Sequence, residues 1–148
     1  MIRVLMVCHG NICRSTMAEF VLKDMVNKRG LGDVFYIASA GTSSEEIGND
    51  THRGTRKKLT EMGIPFARRE AVQVTRKDYD KYDYLICMDK SNVRNLGRII
   101  GEDWQKKVHL LLEFAGENRD IADPWYTGNF DETYRDVEEG CVAFINGI

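Results

Sequence analysis

The chain predicts an α/β domain, a four-stranded parallel sheet with helices on both faces, and three observations carry that expectation. Strand-type and helix-type segments alternate from one end to the other. The first strand, residues 2 to 7, is apolar apart from Arg3, as a strand covered on both faces should be. The length of 148 residues suits one domain spanning 1 to 148, and folding at that size buries roughly 68–70% of the unfolded surface, enough for a core without disulfide or metal staples.

Each element has its own signal. Over residues 16 to 28, Met17, Phe20, Val21, Met25 and Val26 recur at three- and four-residue steps, and Gly30 stops the helix. Residues 34 to 38 form the second strand. Gly41 opens a polar loop to about Thr51, and Leu59 and Met62 mark a short helix closed by Gly63. Residues 65 to 82 are polar and lack a period, so they read as a loop with one helical turn. Residues 84 to 88 are the third strand, followed by a helix capped by Asp89 or Ser91 with Val93, Leu96, Ile99 and Ile100 on its apolar face. Residues 108 to 112 are the fourth strand. Phe130, Tyr134, Val137, Cys141, Phe144 and Ile145 define a terminal helix, in which Gly140 costs roughly 1 kcal/mol relative to Ala.

Composition removes several classes of function. A net charge of −2 offers no global attraction to nucleic acid. The local basic clusters, Arg53 to Lys58 and Arg68-Arg69, read as solvated faces that modestly steer an anionic substrate. Cysteines 8, 13, 87 and 141 lack the paired short spacings of zinc sites, so no metal is expected. Met-Ile-Arg-Val is not the start of a secretory signal, and no apolar run approaches membrane-spanning length. The expectation is a reduced, cytoplasmic protein without nucleic-acid or membrane partners, in which the sequon Asn49-Asp50-Thr51 is a chance match.

The chemistry concentrates in Cys8-His9-Gly10-Asn11-Ile12-Cys13-Arg14-Ser15, between the first strand and the first helix. A strand that ends in cysteine and turns into a helix N-terminus gathers backbone N–H groups where negative charge is favoured. Arg14 adds a planar fork that matches two oxygens of a phosphate-like anion. The same surroundings lower a thiol pKa from about 8.5 into the range of ~3.5–7.5, so thiolate and oxyanion share one site. A buried structural cysteine would need none of Gly10, Asn11, Arg14 or Ser15; that plainer reading suits Cys87 and Cys141. Because ligands bind beyond the carboxyl ends of parallel strands, the loop after the fourth strand, with Asp123-Pro124-Trp125-Tyr126, opens on the same side as Cys8. Asp123 is then the candidate acid for a departing phenolate, worth about 10²–10⁴-fold. Trp125 and Tyr126 wall a slot for an aryl ring. From the residues of this segment alone, a turn with incidental aromatics reads equally well.

The run from Val7 to Ser15 followed by Met17-Ala18-Glu19, together with Ser39-Ala40-Gly41-Thr42, the stretch Tyr82 to Asp89, and Asp123 to Tyr126, resembles the low-molecular-weight protein tyrosine phosphatases over nearly the whole chain. The resemblance implies a Rossmann-like domain of the phosphotyrosine phosphatase I type that uses no cofactor. It implies Cys8 as nucleophile, Asp123 as acid and then base, and phosphate held by Arg14 and the amides of residues 9 to 14, with Ile12, Trp125 and Tyr126 lining the substrate pocket. Ser15 is implied as donor to the Cys8 sulfur, and Asn11 as a left-handed brace with Ser39 or Thr42 as partner. Cys13 is implied as a reversible disulfide partner of Cys8, the alternative being a core residue at the helix start. Glu19 and Asp89 are candidates to orient Arg14, or else solvated acids. The implied partners are phosphotyrosine proteins or peptides, and phosphate or other oxyanions, for a monomer in which Tyr126 is a site for weak self-association or phosphorylation.

Two departures stand out. Thr16 replaces a common proline. Vertebrate members brace the signature asparagine with a histidine, whereas the corresponding stretch here, Phe66-Ala67-Arg68-Arg69, has none; His52 and His109 read as ordinary exposed or strand-edge residues. Among rivals, arsenate reductases would need a third relay cysteine within residues 89 to 100, which is absent. Arginine phosphatases resemble the chain but carry threonine at the place of Ile12 and lack the paired aromatics. A non-catalytic phosphotyrosine-binding module would not need Cys8, Arg14 and Asp123 together, and a pure redox protein would leave Asp123 and both aromatics unexplained.

Overall fold

The computed structural model describes residues 1–148. Its sheet has four parallel strands, β1 (Ile2–Cys8), β2 (Phe35–Gly41), β3 (Tyr84–Cys87) and β4 (Val108–Leu110), in the order β2-β1-β3-β4. The helices are α1 (Arg14–Lys28), α2 (Arg53–Glu61), α3 (Arg76–Lys81), α4 (Lys90–Ile100), α5 (Pro124–Thr127) and α6 (Phe130–Asn146). The chain runs outward from β1 to β2 and then crosses back to β3, so the strand order reverses between β1 and β3. That reversal opens a crevice beyond their carboxyl ends.

Strand residues alternate between two cores, as a period of two requires. Val4, Met6 and Ile86 pack with Met17 and Val21 of α1 and with Val137 and Phe144 of α6. Leu5, Val7 and Leu85 pack on the other face with Tyr79 of α3 and Leu96 and Ile100 of α4. Both faces of β1 are covered, which explains its unbroken apolar run. No helix is long and apolar enough to cross a membrane.

Two strand ends shift by two residues or more from the sequence expectation. The fourth strand stops at Leu110, and Leu111–Ala115 turn into a 3-10 helix begun by the Leu110 N–H donating to Glu113 Oε1 at 2.6 Å. Leu111 and Leu112 are buried all the same, and a buried apolar run looks alike in either conformation. The second strand is shifted toward Gly41. Within the polar stretch 65 to 82, the helical turn is α3, and Gln73 bridges to Gly41 beside the sheet. Gly140 has a packing reason for its cost: a Cβ there would lie 2.5 Å from Leu111 Cγ, so α6 approaches the 3-10 turn only because that atom is missing.

Candidate active site

β1 delivers Cys8 to the crevice, and the residues after it are tied down from the side. The Cys8 and His9 carbonyls accept from the N–H groups of Thr42 (2.9 Å) and Ser43 (3.0 Å), just past the end of β2. Gly41 permits this closeness, since a Cβ there would stand 2.7 Å from the His9 oxygen. On the other side, the Ile12 carbonyl accepts from His52 N–H (2.8 Å), and the Cys13 carbonyl from Thr55 Oγ1 (3.2 Å). Asn11 takes the left-handed conformation, φ 59°. The backbone N–H groups of residues 9 to 13 meet no acceptor within the protein, and no side chain caps the start of α1. The turn is thus bonded through its carbonyls while its donors remain unpaired, the arrangement of an anion cradle.

Asn11 is fully buried and uses both ends of its amide. Its Nδ2 donates to Ser15 Oγ and Ser39 Oγ, each at 2.9 Å. Its Oδ1 accepts from the Val72 N–H at 3.1 Å and from Arg69 Nη2. Ser15 Oγ lies 3.0 Å from Cys8 Sγ, and Ser39 Oγ donates to Glu19 Oε1 at 2.6 Å. Arg69 therefore stands where the sequence offered no histidine. The reading of Arg68-Arg69 as a solvated face fails for Arg69, which is half-buried and points inward. Thr42 bonds through its backbone, and its buried hydroxyl has no partner, so the brace is Ser39.

Arg14 is buried, its side chain 3% exposed. Its Nη1 donates to Asp89 Oδ2 at 2.7 Å and to the Ile121 carbonyl at 2.8 Å, and its Nη2 lies 3.4 Å from Asp123 Oδ2. Burial alone would lower its pKa, but Cys8, the Asp89 hydrogen bond and Asp123 outweigh burial and raise it. Glu19 neither orients Arg14 nor stands in solvent, the two readings its sequence position offers; it is buried, serves Ser39 and pairs with Lys23 at 2.5 Å. Burial, reinforced by Cys8 and Asp123, pushes the Cys13 thiol up to about 12. Burial likewise pushes up Cys87, which sits fully enclosed at the end of β3.

Asp123 caps α5, its Oδ1 accepting from the Trp125 N–H at 3.0 Å, so that proline at the first helical position and the carboxylate share one turn. Trp125 and Tyr126 are 57% and 83% exposed. His52 is not an ordinary surface residue. Its ring stacks on Phe130 at 5.4 Å and meets the Trp125 ring edge-on at 5.7 Å, while its Nδ1 accepts from the Gly54 N–H at 3.0 Å to cap α2. His109 does sit at the sheet edge, 3.3 Å from Glu113. Cys8, His9, Gly10, Ile12, Cys13, Arg14, Asp123, Trp125 and Tyr126 line one cleft of about 540 Å³ including its open mouth, within the size range of small-ligand sites. Glu45 and Glu46, which sequence reasoning passed over, complete its rim. No group of three or more metal-ligating side chains occurs in the structure.

A family model for low molecular weight phosphotyrosine protein phosphatase matches residues 3–148. The chain belongs to that family. It is 39% identical to the low molecular weight protein-tyrosine-phosphatase YfkJ of Bacillus subtilis, over all of this chain and 96% of the relative. The YfkJ crystal structure superposes with a TM-score of 0.96, covering 100% of this chain and 94% of that one. The low molecular weight protein tyrosine phosphatase SP-PTP from Streptococcus pyogenes, 40% identical, gives 0.90 with coverage of 100% and 93%. A drosophila arginine phosphatase also shares the fold, at 29% identity and a TM-score of 0.87, covering 97% and 96%. This member of the family is a phosphatase, built on the four-stranded parallel sheet that its sequence predicts. The cleft lined by Cys8, Arg14 and Asp123 lies at the β1/β3 reversal.

Proposed function

We propose that this phosphatase hydrolyses phosphotyrosine in proteins or peptides, and small aryl phosphates, through a cysteinyl-phosphate intermediate. One observation carries the reading: Cys8, Arg14 and Asp123 line the same cleft beneath Trp125 and Tyr126, with a hydroxyl 3.0 Å from the cysteine sulfur. The phosphate oxygens take the unpaired amides of residues 9 to 13, the amide of Arg14 and the Arg14 guanidinium, a preorganised term that is often the largest in such catalysis. The Cys8 thiolate attacks phosphorus, the P–O bond to the tyrosine breaks, and Asp123 gives its proton to the departing oxygen. Water then attacks the cysteinyl-phosphate, Asp123 takes a proton from it, and the S–P bond breaks to restore thiolate and release inorganic phosphate. Ser15 supports the thiolate at both stages.

The slot favours tyrosine over arginine because Ile12 and Trp125 offer apolar walls to an aryl ring, and Asp123, the carboxylate of the cleft nearest Arg14, already faces that guanidinium. A nucleophilic thiol suits a reducing, cytoplasmic setting and a monomer whose cleft faces solvent. On peroxide exposure Cys8 becomes a sulfenic acid, and the Cys13 thiol condenses with it to a disulfide with loss of water, a cap that reductant removes.

The test is aryl phosphate hydrolysis with a burst measurement of phenol release, repeated with phosphotyrosine and phosphoarginine peptides. Activity that vanishes in Cys8→Ser, with preference for phosphotyrosine, is the expected result. Turnover that survives Cys8→Ser overturns the mechanism, and preference for phosphoarginine overturns the substrate.

A further inference from the structure

We infer that Arg69 is a positioning residue of the active site: acting through Asn11, its guanidinium fixes the direction in which the Ser15 hydroxyl donates and so holds the Cys8 sulfur as a ready thiolate. The inference rests on Cys8 being the nucleophile. Counting donors and acceptors leads to it.

The two ends of an asparagine amide have the same shape, and their neighbours decide which is which. At Asn11 one end faces Arg69 Nη2 and the Val72 N–H, and both of these are donors only. That end must be the oxygen. The nitrogen then faces Ser15 Oγ and Ser39 Oγ, and each hydroxyl receives one of its protons. Each hydroxyl has a single proton of its own left to place. Ser39 gives its proton to Glu19 Oε1, and Ser15 has Cys8 Sγ at 3.0 Å. A hydrogen bond donated to sulfur favours the charged form of the thiol.

Arg69 is the stronger of the two groups that set this polarity. Its bond to Asn11 is charge-assisted, whereas that of Val72 is between neutral groups. Its other side-chain bond goes to the Asn49 carbonyl at 3.3 Å, and it forms no ion pair within 4.0 Å, so its charge is not spent on a carboxylate. The charged groups that face it are Glu19 from α1, Asp50 from the loop before α2, and Cys8 itself. Burial lowers its pKa against their pull, yet a guanidinium starting above 12 stays charged wherever the enzyme works. Around Cys8 the remaining charged or titratable neighbours are Arg14 and Cys13 at the start of α1, Cys87 at the end of β3, Asp123 at α5 and Asp89 at α4. None of them touches the Asn11 amide. A permanently charged donor keeps Ser15 aimed at sulfur whatever the pH.

The experiment is iodoacetamide alkylation of Cys8 followed by mass spectrometry from about pH 4 to 9, a range that spans activated thiols. It is run on the full chain for wild type, Arg69→Met and Arg69→Lys, each also in a Ser15→Ala background. Wild-type Cys8 that alkylates like an ordinary thiol would defeat the nucleophile reading itself. With that reading intact, Arg69→Met moves the alkylation midpoint to higher pH and slows alkylation near pH 6 by about 3- to 10-fold, the scale of one net hydrogen bond, because the effect reaches sulfur only through Asn11 and Ser15. Arg69→Lys restores most of the loss. In the Ser15→Ala background Arg69→Met adds little, because the path to sulfur is already cut. Should Arg69→Met not fold, Arg69→Gln, shorter and uncharged, takes its place. An unchanged profile in the folded variant, or an equal effect with and without Ser15, overturns the inference.

Discussion

The two sides of the cleft are built to opposite standards. The proposed phosphate-binding side, Cys8 to Ser15, is buried except at His9 and Gly10: Asn11 and Ser15 are fully enclosed and Cys8 is 3% exposed. Its backbone is gripped from beyond β2, from α2 and its cap, and, through Asn11, from residues 69 and 72. The proposed acid side is a four-residue helix on a proline, closed by Gly128 at φ 69° and held by its own turn, by Thr133 Oγ1 donating to the Ala122 carbonyl at 3.2 Å, and by Arg14 at the Ile121 carbonyl and Asp123. Its two aromatics stand in solvent. Attack at phosphorus needs donors fixed in advance, whereas substrates differ in what surrounds the phosphate; a rigid floor under an adaptable wall serves both demands.

Replacing parts of each side tests that contrast. The largest effect belongs to the floor. Arg14→Lys keeps the charge but loses the fork to Asp89 and Ile121, and kcat/KM for an aryl phosphate should fall by about 10²–10³-fold, measured by steady-state kinetics. Asp123→Ala comes next, with a loss of about 10²-fold for phosphotyrosine, whose leaving group needs a proton, and far less for a nitrophenyl ester, whose leaving group does not. Equal losses for both esters would mean that Asp123 only shapes the loop. Trp125→Ala tests the wall: KM for a phosphotyrosine peptide should rise about 5- to 10-fold while kcat stays within about twofold, the value of one aromatic contact.

The smallest effect probes His52, which touches both sides. Burial, then Arg53 and Arg56, lowers the pKa of His52, so the unfolded chain takes up that proton first as pH falls. Stability contributed by neutral His52 is complete above its unfolded value of about 6.5 and is lost as pH falls toward its lower folded value. Protonation at Nδ1 also removes the acceptor for Gly54 N–H. Thermal unfolding between about pH 7 and 5.5 should therefore show a drop in Tm that is smaller by about 1–3 °C in His52→Asn, which keeps a cap without the titration.

The parts legible in the sequence share a physical reason. The periodic apolar faces of α1, α4 and α6 and the unbroken β1 run record burial, and burial by a sheet or helix has a characteristic spacing. Cys8 to Ser15 can be singled out because its residues are contiguous, whereas the Asp123 turn reads equally well as incidental until the resemblance joins it to that loop. Arg69 was not legible, since it lies 58 residues from Asn11 in a stretch with no period, and a basic pair there looks like any solvated face. His52 was missed for a similar reason: its ring is defined by Trp125 and Phe130, more than 70 positions away, as the residue numbers show. Glu19 was read toward Arg14 because both are on α1, but its oxygens reach Ser39 and Lys23.

The grip on the phosphate loop has a consequence for how the enzyme comes into being. Cys8 to Ser15 is one short stretch of chain, yet the hydrogen-bonding groups that hold it come from residues 39, 42, 43, 52, 55, 69 and 72. An isolated β1–α1 unit would contain the whole proposed phosphate loop and still lack the bonds that shape it. During refolding, recovery of activity should accordingly lag behind the helical signal of α1 and coincide with docking of β2 and the segment that follows α2. In this fold, competence is a late readout of tertiary assembly.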